Sequence, residues 1–151
     1  MKKKIIWSIL IIILTGGSIA VWYGYKAYNE KPPTAEEVST DGHVTAEEIM
    51  QEFISNPEEA GKKYHEKAIE ITGTISEMQS EDENNLSISL ETSATDELGI
   101  NRSVRVTIIP KMTDLVKNCK LGQNVILKGI FNGFDTDLIF NMGVLVEQTK
   151  K

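Results

Sequence analysis

From Lys67 the residues settle into a period of two, and that alternation restricts this part of the chain to strands. Ile69, Ile71, Gly73 and Ile75 alternate with Glu70, Thr72, Thr74 and Ser76. Leu86, Ile88 and Leu90 alternate with Ser87, Ser89 and Glu91, and Val104, Val106 and Ile108 with Arg105 and Thr107. Successive side chains of a strand point to opposite faces, so each run has one apolar and one polar face. A polar turn, Glu81 to Asn85, separates the first two strands. A longer loop, Thr92 to Asn101, precedes the third, and Pro110 ends it.

Met112 to Asn118 reads as a short helix. A fourth strand follows over Asn124 to Phe131 and a fifth over Leu138 to Val146. Asn132-Gly133 is a hairpin signal between them, which Asp135-Thr136-Asp137 extends if the loop is longer. Five strands with a short helix between the third and fourth is the order of an OB-fold, a small Greek-key barrel. Gly73 and Gly129 lie inside strands, where a closing barrel needs bending and close backbone approach. Phe140 shares the parity of Leu138, Met142, Val144 and Val146, which assigns all of them to the core.

The strands have a helical lead-in. Thr45 and Glu48 form a capping-box pattern ahead of the apolar stripe Ile49, Met50, Phe53 and Ile54. Pro57 stops that helix near Ser55. Asn56 then caps a second helix, with Pro57 in its first turn, running to about Tyr64.

Ile5 to Tyr25 is a run of 21 uncharged residues, with Lys2, Lys3 and Lys4 ahead of it and Lys26 behind. As a helix it reaches ~31 Å, one hydrocarbon core. The lysine bias holds the N-terminus in the cytoplasm and places the remainder outside the cytosol. The competing reading is a secretory signal with apolar core Ile5 to Leu14, cleaved near Ala20 and leaving a secreted or periplasmic chain. Trp22, Tyr23 and Tyr25 continue the apolar character past that cut and suit a membrane interface. The domain plan is therefore an anchor at 1–26, a flexible linker at 27–44 containing Pro32-Pro33, and the barrel domain at 45–151.

The stretches "TAEEIMQEFISNPEEAGKKYHEKAIEITGTISEM" and "LGQNVILKGIFNGFDTDLIFNMGVLV" resemble the bacterial tRNA-anti-like OB-fold family of membrane-anchored or lipoprotein-like exported proteins. The resemblance spans roughly Val44 to Val146 and implies the fold. It supplies no catalytic residue. Some members carry cysteines about where Phe131 and Gly143 stand here, so no thiol role of that pair transfers.

Charge and site chemistry narrow the function. The chain has 16 basic and 22 acidic residues, a net charge of −6. From Thr45 onward it has 11 basic and 18 acidic residues, near −7. Phosphate backbones are held by Lys and Arg, so an acidic domain starts at a disadvantage with nucleic acid. The candidate ligand face presents Ser87 and Ser89, with Arg105 and Thr107 opposite, and lacks an aromatic for base stacking. Phe134 and Asp135 at the last turn complete that face, Phe134 as the exposed contact. Arg102, Arg105, Lys111 and Lys128 are the cations available for a basic strip, but four scattered cations on an acidic domain are expected to balance local acids instead. The acidic tip Glu81-Asp82-Glu83 suits a basic partner or keeps an edge soluble. Cys119 is the only cysteine, and His43 and His65 lack ligand spacing, so no zinc site, cofactor or catalytic nucleophile is expected. These residues point to a non-catalytic, membrane-tethered extracytoplasmic module for a protein or envelope ligand. Single-stranded nucleic-acid binding is the alternative.

Overall fold

The computed structural model describes residues 17–26, 34–82, 85–95 and 99–148. The chain divides into two compact units, Met1–Pro32 and Pro33–Lys151. In the first, helix α1 is described over residues 17–26, all exposed. Among the described residues no helix is long and apolar enough to cross a membrane. Most of the expected span, Ile5 to Gly16, lies outside the described residues.

The second unit runs β1 (Gly42–Thr45), α2 (Ala46–Ser55), α3 (Pro57–Tyr64), β2 (Ala68–Asp82), β3 (Asn85–Thr95) and β4 (Asn101–Ile108). A 3-10 turn (Pro110–Met112), α4 (Thr113–Val116), β5 (Asn124–Phe134) and β6 (Leu138–Gln148) follow. The domain is mainly β, with six strands in one sheet in the order β1-β2-β3-β4-β6-β5. Strand β5 also pairs with β2, so β2, β3, β4, β6 and β5 form a continuous hydrogen-bonded circuit. The sequence predicts five strands. The sixth is β1, which pairs parallel with the start of β2, Gly42 opposite Ile69 and Val44 opposite Ile71.

Local chemistry explains the helix bounds. Thr45 Oγ1 accepts from Glu48 N–H at 3.1 Å, and Glu48 Oε2 accepts from Thr45 N–H at 2.9 Å. That reciprocal box satisfies two donors which the first turn leaves unpaired. The Thr45 backbone bond, with the hydroxyl bond second, holds the Glu48 carboxyl below its ordinary pKa. Asn56 caps α3 in the same way, its Oδ1 accepting from Glu59 N–H at 3.2 Å. Thr45→Ala removes the first cap and is expected to lower stability by about 1 kcal/mol, read as a shifted urea midpoint at constant slope. Helix α2 buries Ala46, Ile49, Met50 and Phe53 in the same core as Ile71, Leu90, Val106, Leu127 and Phe140. Ile54, expected on that stripe, is 44% exposed.

The turn between β5 and β6 lies later than Asn132-Gly133. Gly133 is still laddered opposite Ile139, Phe134 pairs with Leu138, and residues 135–137 make the bend. A register shift between Phe131 and Gly133 lets β5 continue past the turn signal.

A second irregularity revises the core. Met142 has φ 55, and the β5–β6 register shifts between Lys128/Val144 and Ile130/Asn141. Inward parity moves by one residue. Leu138 and Phe140 are fully buried as predicted, but beyond Met142 it is Gly143 that lies against Val106 and Leu145 that packs on the main core. Val146 is 48% exposed, and Val144 joins a separate small cluster with Ala35 and Ile109. The period-two reading assumes an unbroken strand, and a one-residue slip exchanges its faces.

Residues 34–41 are not a free linker. Ala35 is fully buried, and its N–H donates to Met142 O at 3.1 Å. Lys128 Nζ donates to Val38 O, and Thr40 Oγ1 donates to Glu70 Oε1 at 2.7 Å. Lys111 pairs with Glu36 at 3.0 Å, and His43 Nδ1 meets Glu70 Oε2 at 2.8 Å. Asp41 N–H donates to Ala68 O, while Ala68 N–H donates to Asp41 Oδ2. The domain therefore includes this strap.

Candidate functional site

Strands β3 and β4 bring the predicted polar face together. Ser87 stands opposite Thr107, Ser89 opposite Arg105 and Glu91 opposite Ser103. The Ser87 and Thr107 hydroxyl oxygens are 3.4 Å apart, both half-buried. Ser89 is buried, and its carbonyl accepts from Ser76 Oγ at 3.1 Å.

The turn after β5 closes one side of this face. Asp137 Oδ1 accepts from Ser103 N–H at 2.8 Å and from Ser103 Oγ at 3.0 Å. Asp137 Oδ2 accepts from Arg105 Nη2 at 2.9 Å. Three donors converge on one carboxylate, so the turn is fixed to β4 by charge-assisted bonds. Asp135 is exposed on the same turn, its N–H donating to Asp137 O at 3.1 Å.

The result is a groove of about 480 Å³, lined by Ser89, Thr92, Arg102, Ser103, Arg105 and Asp137 among others. Arg105 is neutralised by Asp137. Arg102 is in a different position. Its guanidinium carbon lies 5.5 Å from the Phe134 ring centroid, and Nε is buried without a hydrogen-bond partner. Thr92 Oγ1 ties down its backbone by donating to Arg102 O at 2.6 Å. Among the described residues no acidic side chain pairs with Arg102. Glu77 and Glu91 also line the groove and oppose an anion there.

The expectation for Phe134 is corrected. It is half-buried, with its ring 5.3 Å from that of Phe53 and Arg102 over it. It lies under Arg102, and among the described residues no groove-lining side chain is aromatic. The four cations do not assemble into a basic strip. Lys111 is paired with Glu36 and Lys128 is buried against Val38 O, which leaves Arg102 and Arg105 in the groove. Sequence reasoning missed Thr92, Ser103 and Asp137 as site members. They come from three segments, and the local signal at each is only turn or strand chemistry.

Elsewhere the chemistry is structural. A second hollow, 610 Å³ between α2 and α3, is lined by Glu47, Glu48, Glu52, Glu59 and Lys63 among others. These acids are engaged: Glu47 by Ser93, Glu48 by Thr45, Glu52 by Lys63 and Glu59 by Asn56. Burial pushes the Cys119 thiol above its ordinary pKa, which suits a packing residue better than a nucleophile. Among the described residues no three His, Cys, Asp or Glu side chains gather as metal ligands. The side chains of the acidic tip, Glu81 to Glu83, lie outside the described residues.

Comparison with known proteins places this fold. It is similar to a Klebsiella pneumoniae subsp. pneumoniae protein described as a "putative nucleic acid-binding lipoprotein", at 16% identity and a TM-score of 0.52. That match covers 78% of this chain and all of the other. The S. pombe Stn1-Ten1 complex matches at 20% identity and a TM-score of 0.38, over 56% of this chain and 59% of the other. No curated protein matches. The model of the tRNA_anti-like family matches residues 1–142, and this chain belongs to that family.

Proposed function

We propose that this protein is a non-catalytic binding module, an OB-type barrel held outside the cytosol by an anchor in Ile5 to Tyr25. Its ligand is a protein or another envelope component, taken in the groove between β3, β4 and the β5–β6 turn. The observation that carries this reading is the groove itself. It is polar, rich in hydroxyls and fixed by the Asp137–Ser103–Arg105 bonds, and among the described residues that line it none offers an aromatic surface on which a base stacks. Base–aromatic stacking contributes about 1–3 kcal/mol per base, and that term is missing here. The acidic balance of the domain removes a second source of oligonucleotide affinity.

Single-stranded nucleic-acid binding remains the second reading. Arg102, a groove cation without an acidic partner among the described residues, favours it, as does the description of the Klebsiella protein. The deciding experiment titrates the full chain in detergent with labelled single-stranded DNA and RNA at low salt. The expected result is no saturable binding. Binding at about micromolar strength that falls steeply with salt, and is lost in Arg102→Gln, establishes the second reading instead. Retention of the full-length mass in the membrane fraction tests the anchor. A chain shortened near Ala20 and released to the soluble fraction supports the secreted form.

A further inference from the structure

The strap at residues 34–40 is joined to the sheet by two polar side chains that face each other across a ladder. Lys128 on β5 stands directly opposite Glu70 on β2. In the docked arrangement they are turned to different partners. Lys128, 8% exposed, gives its ammonium to Val38 O, and Glu70 accepts from Thr40 while meeting His43. A buried ammonium satisfied by a strap carbonyl loses its acceptor when the strap leaves. Here a replacement is one ladder position away, because directly opposed side chains in an antiparallel pair are close enough to form an ion pair.

We infer that the strap is a two-position latch, docked with Lys128 on Val38 and Glu70 on Thr40, and released with Lys128 and Glu70 paired to each other. The hinge is Asp41-Gly42. Below it, the reciprocal Asp41–Ala68 bonds and the parallel β1–β2 pairing hold residues 41–45 in place. Above it, the strap depends on the Ala35 backbone bond, the small Ala35–Ile109–Val144 cluster, the exposed Lys111–Glu36 pair and the two exchangeable bonds. Few apolar contacts and short hydrogen-bonded stretches mark segments that open locally before the rest of a domain. Release frees seven residues, Thr34 to Thr40. At ~3.3 Å per residue they add ~23 Å to the reach of the chain preceding the domain.

The exchange of partners gives the latch a signature in which the two residues respond differently. Lys128→Met removes the Val38 bond and, in the released state, the compensating pair, leaving an apolar side chain with no partner to lose. Glu70→Gln keeps an amide oxygen for Thr40 but abolishes the ion pair that stabilises release. Hydrogen exchange of the full chain, followed by mass spectrometry on peptides covering residues 34–41 and 104–108, reads both. Strap amides of Glu70→Gln are expected to exchange about tenfold more slowly than wild type, and those of Lys128→Met at close to the wild-type rate because that change takes one bond from each state, with the β4 peptide unchanged. If Glu70→Gln speeds strap exchange, or Lys128→Met speeds it about tenfold, the two side chains are docking contacts only and the latch is refuted. Strap and β4 peptides exchanging together in all three proteins refutes it equally, because the strap then opens only with the whole domain.

Discussion

Replacing Phe53 by alanine is expected to remove about 3–5 kcal/mol from a domain whose total stability is on the order of 5–15 kcal/mol. Phe53 is 1% exposed, and its ring meets three others, Tyr64 at 5.9 Å, Phe131 at 5.0 Å and Phe134 at 5.3 Å. Those rings belong to α3 and β5, so one side chain on α2 joins the helical lead-in to the strand circuit. Truncation leaves a cavity that the neighbouring rings on α3 and β5 cannot close. The loss also reaches the groove, since Phe134 supports Arg102. Urea unfolding reads the stability change as a lower midpoint at unchanged slope. A change below about 1 kcal/mol would show that the lead-in is an appendage rather than part of the core.

Gly143→Ala is expected to be nearly as costly, about 3 kcal/mol, for the opposite reason. A Cβ there overlaps Val106 Cγ1 and sits 3.0 Å from the backbone oxygen of Thr107. Strand β4 cannot withdraw, because Val106 and its neighbours are laddered to β3 on one side and β6 on the other. Gly133→Ala is the control. Nothing lies within 4 Å of its Cβ position, and its effect is expected within about 0.5 kcal/mol. Equal effects at the two positions would mean that strand-interior glycine, rather than the close approach at Val106, determines the cost.

The parts legible in the sequence are those whose chemistry is local. The Thr45–Glu48 box, the Asn56 cap with Pro57 and the alternation through Ile69–Ile75 each involve residues within a few positions of one another. The structure places these elements where the sequence does. The placing of Ser87 and Ser89 on one face with Arg105 and Thr107 was also legible, because alternation along each strand assigns every residue to a face. The Met142 slip was not, since nothing in "NMGVLV" distinguishes an unbroken strand from one that exchanges faces at its middle. The strap was hidden for a different reason. Its anchoring groups are backbone N–H and C=O groups, the polar side chains of Glu36 and Thr40 and a single alanine methyl, which leave no hydrophobic pattern to read. Asp137 reads locally as turn chemistry. Its role as the acceptor for Ser103 and Arg105 depends on strands 30 residues and more apart, which only the closed pairing brings together.

The slip at Met142 also determines where this domain can be cut. It gives β6 an apolar patch on the outside of the circuit, and Ala35 covers it from residues that precede every regular element of the domain. A fragment begun at Thr45, the boundary suggested by the helix cap, exposes Ile109 and Val144 and strips β2 of its parallel neighbour. Uncovered apolar surface beside an open strand edge is a recipe for association between copies. The natural start of a well-behaved soluble fragment is Pro33, where the compact unit begins.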